Sequence, residues 1–243
     1  MSSVKAIELS SDLCDTSVFD WLQRLPSLIA LKIVNFSLRE YLPVCSVCDP
    51  FPALSELRIT SFATRTFASI WQPYIVSRLV KLVLEFTSSV YGQEISGMLR
   101  LIAALCPKLC TLIISFCRYP KLNHSHAIPL EIIRSLPITK LIIIGQHHCD
   151  YTLPENLRSA YTYWPNLEIL HLGALKLECS ELANLSTNLP HLVDLSIGLV
   201  GDSVFAGTYL PLPKSWPDHS LYFTLVDGFE EEYDQESYEN LGV

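Results

Sequence analysis

The residues of this chain best suited to chemistry are cysteines and histidines. Cys45-Ser46-Val47-Cys48 has the spacing of a zinc half-site or a redox dithiol, and it sits between Pro43 and Pro50 in a loop. A structural zinc needs a second ligand pair of matching geometry. The nearest candidates are His147, His148 and Cys149, or His124 and His126. Neither group repeats a ligand-pair spacing, so the plainer reading of Cys45 to Cys48 is an inter-repeat loop. The four histidines fall in loops that follow strands, on one expected rim of the molecule. A catalytic histidine needs a nucleophile or carboxylate held against it. No Gly-x-Ser-x-Gly, phosphate loop or His-Glu-x-x-His accompanies them. The chain reads as a non-enzyme, with no catalytic residue, cofactor or metal expected.

What must position any site is a phrase written seven times, hydrophobic-Pro-x-Leu-x-x-Leu-x-Leu. It runs from Leu25 to Ile33, Phe51 to Ile59, Val76 to Leu84 (without proline) and Cys106 to Ile114. A copy one residue short spans Leu136 to Ile143, and Trp164 to Leu172 and Leu189 to Ile197 close the set. Counted at Leu31, Leu57, Leu82, Leu112, Leu141, Leu170 and Leu195, the periods are 26, 25, 30, 29, 29 and 25. Such periods with this leucine spacing predict a leucine-rich-repeat solenoid, an α/β horseshoe with parallel strands on the concave face and helices on the convex face. Each Leu-x-Leu should be a short strand, its leucines inward and the intervening residues outward. Helical spacing fills the gaps at Ser17 to Leu25, Phe67 to Val76, Ile95 to Leu105, Ile128 to Leu136, Pro154 to Trp164 and Cys179 to Leu189. The cassette proline suits a place where a helix has just ended. Val4, Ile7 and Leu9 fit an eighth strand ahead of the set; Leu221, Phe223 and Leu225 fit a last, irregular one.

The outward strand positions carry the binding signal. They are Ala6 and Glu8, Ala30 and Lys32, Glu56 and Arg58, Lys81 and Val83, Thr111 and Ile113, Lys140 and Ile142, Ile169 and His171, Asp194 and Ser196. Early repeats present charge. Central ones present Val83, Ile113, Ile142 and Ile144 to what should be solvent, and an exposed apolar patch marks an interaction site. The expected partner-binding set on the concave face is Lys32, Arg58, Val83, Ile113, Ile142, Ile144, Ile169 and His171. The competing reading is that β-branched residues simply suit strands.

Composition narrows the partner. Hydrophobic residues make up 49% of 243, ample for a continuous core, yet no apolar run approaches the ~20 residues of a membrane span. Residues 1–12 lack an apolar signal core, and eight cysteines fit buried thiols in a reducing compartment, so a cytoplasmic or nuclear monomer is expected. Cys106, Cys110 and Cys117 fall at repeat positions suited to burial. Of 25 acidic residues, seven lie in 227–243 with no lysine or arginine, leaving 18 acids against 17 bases elsewhere. A body so nearly neutral lacks the basic stripe of a nucleic-acid surface. The domain reading is a repeat domain over 1–226 and an acidic, disordered tail over 227–243. Deleting that tail is expected to leave the melting temperature nearly unchanged. A drop of several degrees in a thermal scan would show that Phe229, Tyr233 or Tyr238 docks on the body.

One repeat is more specific. Cys106-Pro107-Lys108-Leu109-Cys110-Thr111-Leu112-Ile113-Ile114-Ser115-Phe116-Cys117 resembles the cysteine-containing leucine-rich repeat, Cys-x-x-Leu-x-x-Leu-x-Leu-x-x-Cys. That subtype resembles the substrate-binding part of F-box/leucine-rich-repeat proteins. The irregular periods, the Pro-x-Leu starts and the acidic, tyrosine-bearing tail are similar to fungal members. The resemblance spans about residues 4–200 and implies the substrate receptor of a Skp–cullin–F-box ubiquitin ligase. No F-box, the helical module that docks the Skp-type adaptor, is found. The first strand also begins at Val4, leaving no room for a polar solenoid cap. Both point to an upstream part, and a Skp-type adaptor is expected only if an F-box lies there. The alternative is a stand-alone leucine-rich-repeat scaffold or inhibitor-like binding protein with no ligase link.

Overall fold

The computed structural model describes residues 3–10, 16–34, 49–62, 71, 73–87, 92–116, 128–145, 163–177, 188–199 and 222–225. Cys45, Cys48, Cys117, Cys149, His124, His126, His147, His148, the stretches 154–162 and 179–187 and the tail 227–243 lie outside them. Among the described residues nine strands form one open sheet in strict chain order: β1 Ala6–Ser10, β2 Ala30–Val34, β3 Glu56–Phe62, β4 Lys81–Phe86, β5 Thr111–Phe116, β6 Lys140–Gly145, β7 Ile169–Leu177, β8 Asp194–Leu199 and β9 Tyr222–Leu225. Every neighbouring pair is parallel. One strand per cassette, each beside the next, is an open α/β array of a repeat-like kind.

The register stacks like on like. Ile7, Leu31, Leu57, Leu82, Leu112, Leu141, Leu170 and Leu195 are successive ladder partners, as are Leu9, Ile33, Ile59, Leu84, Ile114, Ile143, Leu172, Ile197 and Phe223. From Leu31 to Leu195 the first column is buried throughout. A one-residue slip at any strand would turn its leucines to the other face, so the core itself holds the register. Phe86 and Phe116, also ladder partners, stack with ring centroids 5.3 Å apart.

The cassette proline has a more exact cause than helix termination. Leu28 N–H donates to Leu25 O, and the same i to i+3 bond recurs at Leu54 to Phe51, Leu79 to Val76, Leu109 to Cys106, Leu167 to Trp164 and Leu192 to Leu189. Pro26, Pro52, Pro107, Pro165 and Pro190 therefore occupy the second position of a β-turn, where the ring presets φ. The short cassette closes differently: Ile138 N–H donates to Leu136 O, an i to i+2 bond across Pro137, which absorbs the missing residue. After each turn one carbonyl accepts two N–H groups from the next repeat. Lys5 O accepts from Ile29 and Ala30, Ile29 O from Ser55 and Glu56, Ser55 O from Val80 and Lys81, and the column continues to Glu168 O with Val193 and Asp194. This ladder satisfies backbone groups that the turn would leave unpaired.

The second layer varies with repeat length. Helix α1, Thr16–Gln23, buries Phe19 and Leu22 and leaves Trp21 55% exposed. Phe19 meets Phe51 edge to face at 5.4 Å, and Phe51 takes φ 52, a left-handed conformation uncommon for a residue this large. Its N–H donates to Gln23 O, and its side chain is fully buried, two contacts that hold the strained backbone. Helix α2, Pro73–Val76, is a single turn in a repeat of 25 residues. Helix α3, Gly92–Leu105, fills the repeat of 30 and buries Ile95, Met98, Leu99 and Ile102 at helical spacing. The helix expected over Ile128 to Leu136 is instead a 3-10 turn, Leu130–Ile133. Pro129 and Pro137 bracket that run and hold it to a short turn, the length at which 3-10 geometry is common.

Candidate interaction surface

The face opposite the leucine columns is built of two further columns. One runs Ala6, Ala30, Glu56, Lys81, Thr111, Lys140, Ile169, Asp194; the other runs Glu8, Lys32, Arg58, Val83, Ile113, Ile142, His171, Ser196. The register thus brings seven candidates, Lys32, Arg58, Val83, Ile113, Ile142, Ile169 and His171, onto one face. Ile144 begins a third column beside Ser115 and Glu85.

Side-chain exposure corrects part of the expectation. Val83 and Ile142 are only 7% and 8% exposed and do not stand in solvent. Strand neighbours lie ~4.8 Å apart, so each branched side chain is walled by the next. Val83 lies between Arg58 and Ile113, and Ile142 between Ile113 and His171. Ile113 and Ile169 are half-buried. Ile144 is 48% exposed; regular pairing to β7 stops at Ile143 with Leu172, so no residue of β7 stands in ladder register beside it. The accessible part of the apolar patch is therefore Ile144, with Ile113 and Ile169 partly exposed.

The charged end is self-paired. Lys32 Nζ lies 2.9 Å from Glu8 Oε1, Lys81 Nζ lies 3.0 Å from Glu56 Oε2, and Arg58 pairs with Glu85. All are partly exposed, so each contributes ~0–1 kcal/mol and serves more to match charge than to hold the fold. At the other end His171 Nε2 sits 2.9 Å from Asp194 Oδ2 without hydrogen-bond alignment. Glu85 is absent from the expected set, and so is Lys140. The latter was legible: Thr111 and Ile169 beside it carry no charge, unlike the neighbours of every lysine before it in the columns.

Among the described residues no group of three or more His, Cys, Asp or Glu is placed to hold a metal ion. No described helix is long and apolar enough to cross a membrane. Of the repeat cysteines, Cys106 is buried and burial pushes its thiol up from 9.0 to about 12. Cys110 is half-buried, contrary to the expectation of a core thiol. It occupies the residue before the strand, the position of Ile29, Val80 and Val193, which are all exposed. An alkylating reagent is accordingly expected to label Cys110 in the native protein and Cys106 only on unfolding, read by mass spectrometry.

No family model and no curated protein matches the chain. A crystal structure of a Bacteroides fragilis protein aligns with 82% of this chain and 69% of that one. The identity is 14% and the TM-score 0.39.

Proposed function

We propose that the chain is a leucine-rich-repeat solenoid that recognises a protein partner through the sheet face opposite its leucine columns, with no chemistry of its own. The observation that carries the reading is the layout of that face: an apolar centre with Ile113 and Ile144 accessible, flanked on one side by matched ion pairs. Binding energy concentrates in a few central anchors with polar groups at their rim, and this face has such a centre with a polar flank on the β1 to β4 side. The cysteine-containing repeat Cys106 to Cys117 supports a narrower proposal, the substrate-receptor part of an F-box-type ubiquitin-ligase subunit.

Two measurements test these readings. Ile113→Glu with Ile144→Glu should abolish partner capture while the melting transition persists, because a carboxylate placed in the contact must be desolvated without a counter-ion. Glutamate at His147 and His148 is the control, expected to change capture little. Unaltered capture by a folded Ile113/Ile144 variant refutes recognition through this face. For the narrower proposal, the product of the complete reading frame should co-purify with a Skp-type adaptor. Failure to do so assigns the chain to the stand-alone scaffolds.

A further inference from the structure

The outward columns match every lysine and arginine with a carboxylate except one. Lys32 has Glu8, Lys81 has Glu56 and Arg58 has Glu85. Lys140 has Thr111 on one side and Ile169 on the other, and no carboxylate of the described residues lies in ion-pair reach. It is half-buried, and Leu141 beside it is fully buried toward the core, which places Lys140 with Ile142 on the recognition face. Asp194, the nearest acid along its own column, is two strands away, beside His171.

We infer that Lys140 is an anion anchor, and that the partner of this face is an acidic peptide segment of a separate protein. Its carboxylate would pair with Lys140 while an adjacent aliphatic or aromatic side chain covers Ile113 and Ile144. This deepens the recognition reading and rests on it. Covering the patch strips water from the ammonium, and a charge desolvated without a partner is costly. A neutral apolar segment would strand Lys140, and a basic one would add repulsion, so the unmatched cation selects against both. The chain's own acidic segment 227–243 is a poorer occupant. In chain order it follows β9, which lies three strands from β6, with Asp194 of β8 between them.

A displayed random-peptide library selected on the full chain tests the inference. Enriched peptides should carry Asp or Glu beside a large apolar residue. For one such synthetic peptide, Lys140→Gln should weaken binding roughly 10- to 100-fold, as should changing the peptide's acid to its amide. The two changes together should cost little more than either alone, the signature of a direct pair. Lys140→Glu should turn the selection toward Lys and Arg. Should a Lys140 variant lose its native melting transition, the peptide amide on the unaltered chain still decides. Binders with no acidic preference that are lost on Ile113→Glu overturn the anchor and leave the face reading intact. Binders indifferent to both residues, or no binders at all, overturn both. Binders that arise only after the seven acids of 227–243 are changed to amides assign the site to the chain's own tail and overturn the separate partner.

Discussion

Leu112→Ala is expected to lower unfolding free energy by ~2–5 kcal/mol in denaturant titration, through lost transfer energy and the cavity left behind. Leu112 is fully buried in the middle of the first leucine column, with Leu82 and Leu141 as its ladder partners. Domains are stable by only ~5–15 kcal/mol, so a loss at the upper end removes much of the margin. Ile113→Ser, one residue on, should cost far less, because its side chain is half-buried on the opposite face. The reverse order would mean that the strand register is off by one. Ile142→Glu should behave like a core change despite its outward position, since at 8% exposure it would bury a carboxylate.

The second large effect is a loss of stability at high pH carried by Cys106. Burial raises its thiol from 9.0 to about 12, so the folded chain holds the proton more tightly than the unfolded chain does. That contribution is whole below about pH 9 and drains away as pH climbs toward 12, at about 1.4 kcal/mol per pH unit. The full span is on the order of 4 kcal/mol. Cys106→Ala removes the titration. Comparing wild type and variant by denaturant titration between pH 8 and 11 cancels the tyrosines and lysines both share. Wild type should lose stability more steeply, and parallel curves would show that the thiol is not desolvated as its burial implies.

How much of this was readable in advance depends on whether a feature is local. The turn bonds from Leu25 to Leu28 and from Trp164 to Leu167 join residues three apart, so proline and leucine spacing announced them. The leucine columns were likewise readable, because period-two alternation decides which side of a strand is buried before any partner is known. The outward columns followed by the same alternation, and with them the membership of Lys32, Arg58, Ile113 and His171. Exposure within those columns was not readable. Val83 and Ile144 are both branched, outward and central, yet one is walled by two neighbouring strands while the other stands where pairing to β7 ends.

Ion pairing divides the same way. Glu8 and Lys32 are 24 residues apart and Arg58 and Glu85 are 27 apart; only the register brings each pair together. The mixed helical layer, from a 14-residue helix to one 3-10 turn, tracks repeat length and proline placement. The sequence by itself determined the repeat, the strand faces and the near-neutral body, because these depend on spacing along one chain and on composition. Tertiary structure alone decided which outward side chains remain accessible and which carboxylate each paired cation meets. Both depend on what the adjacent strand places ~4.8 Å away, a distance that separates residues 24 to 30 apart in sequence.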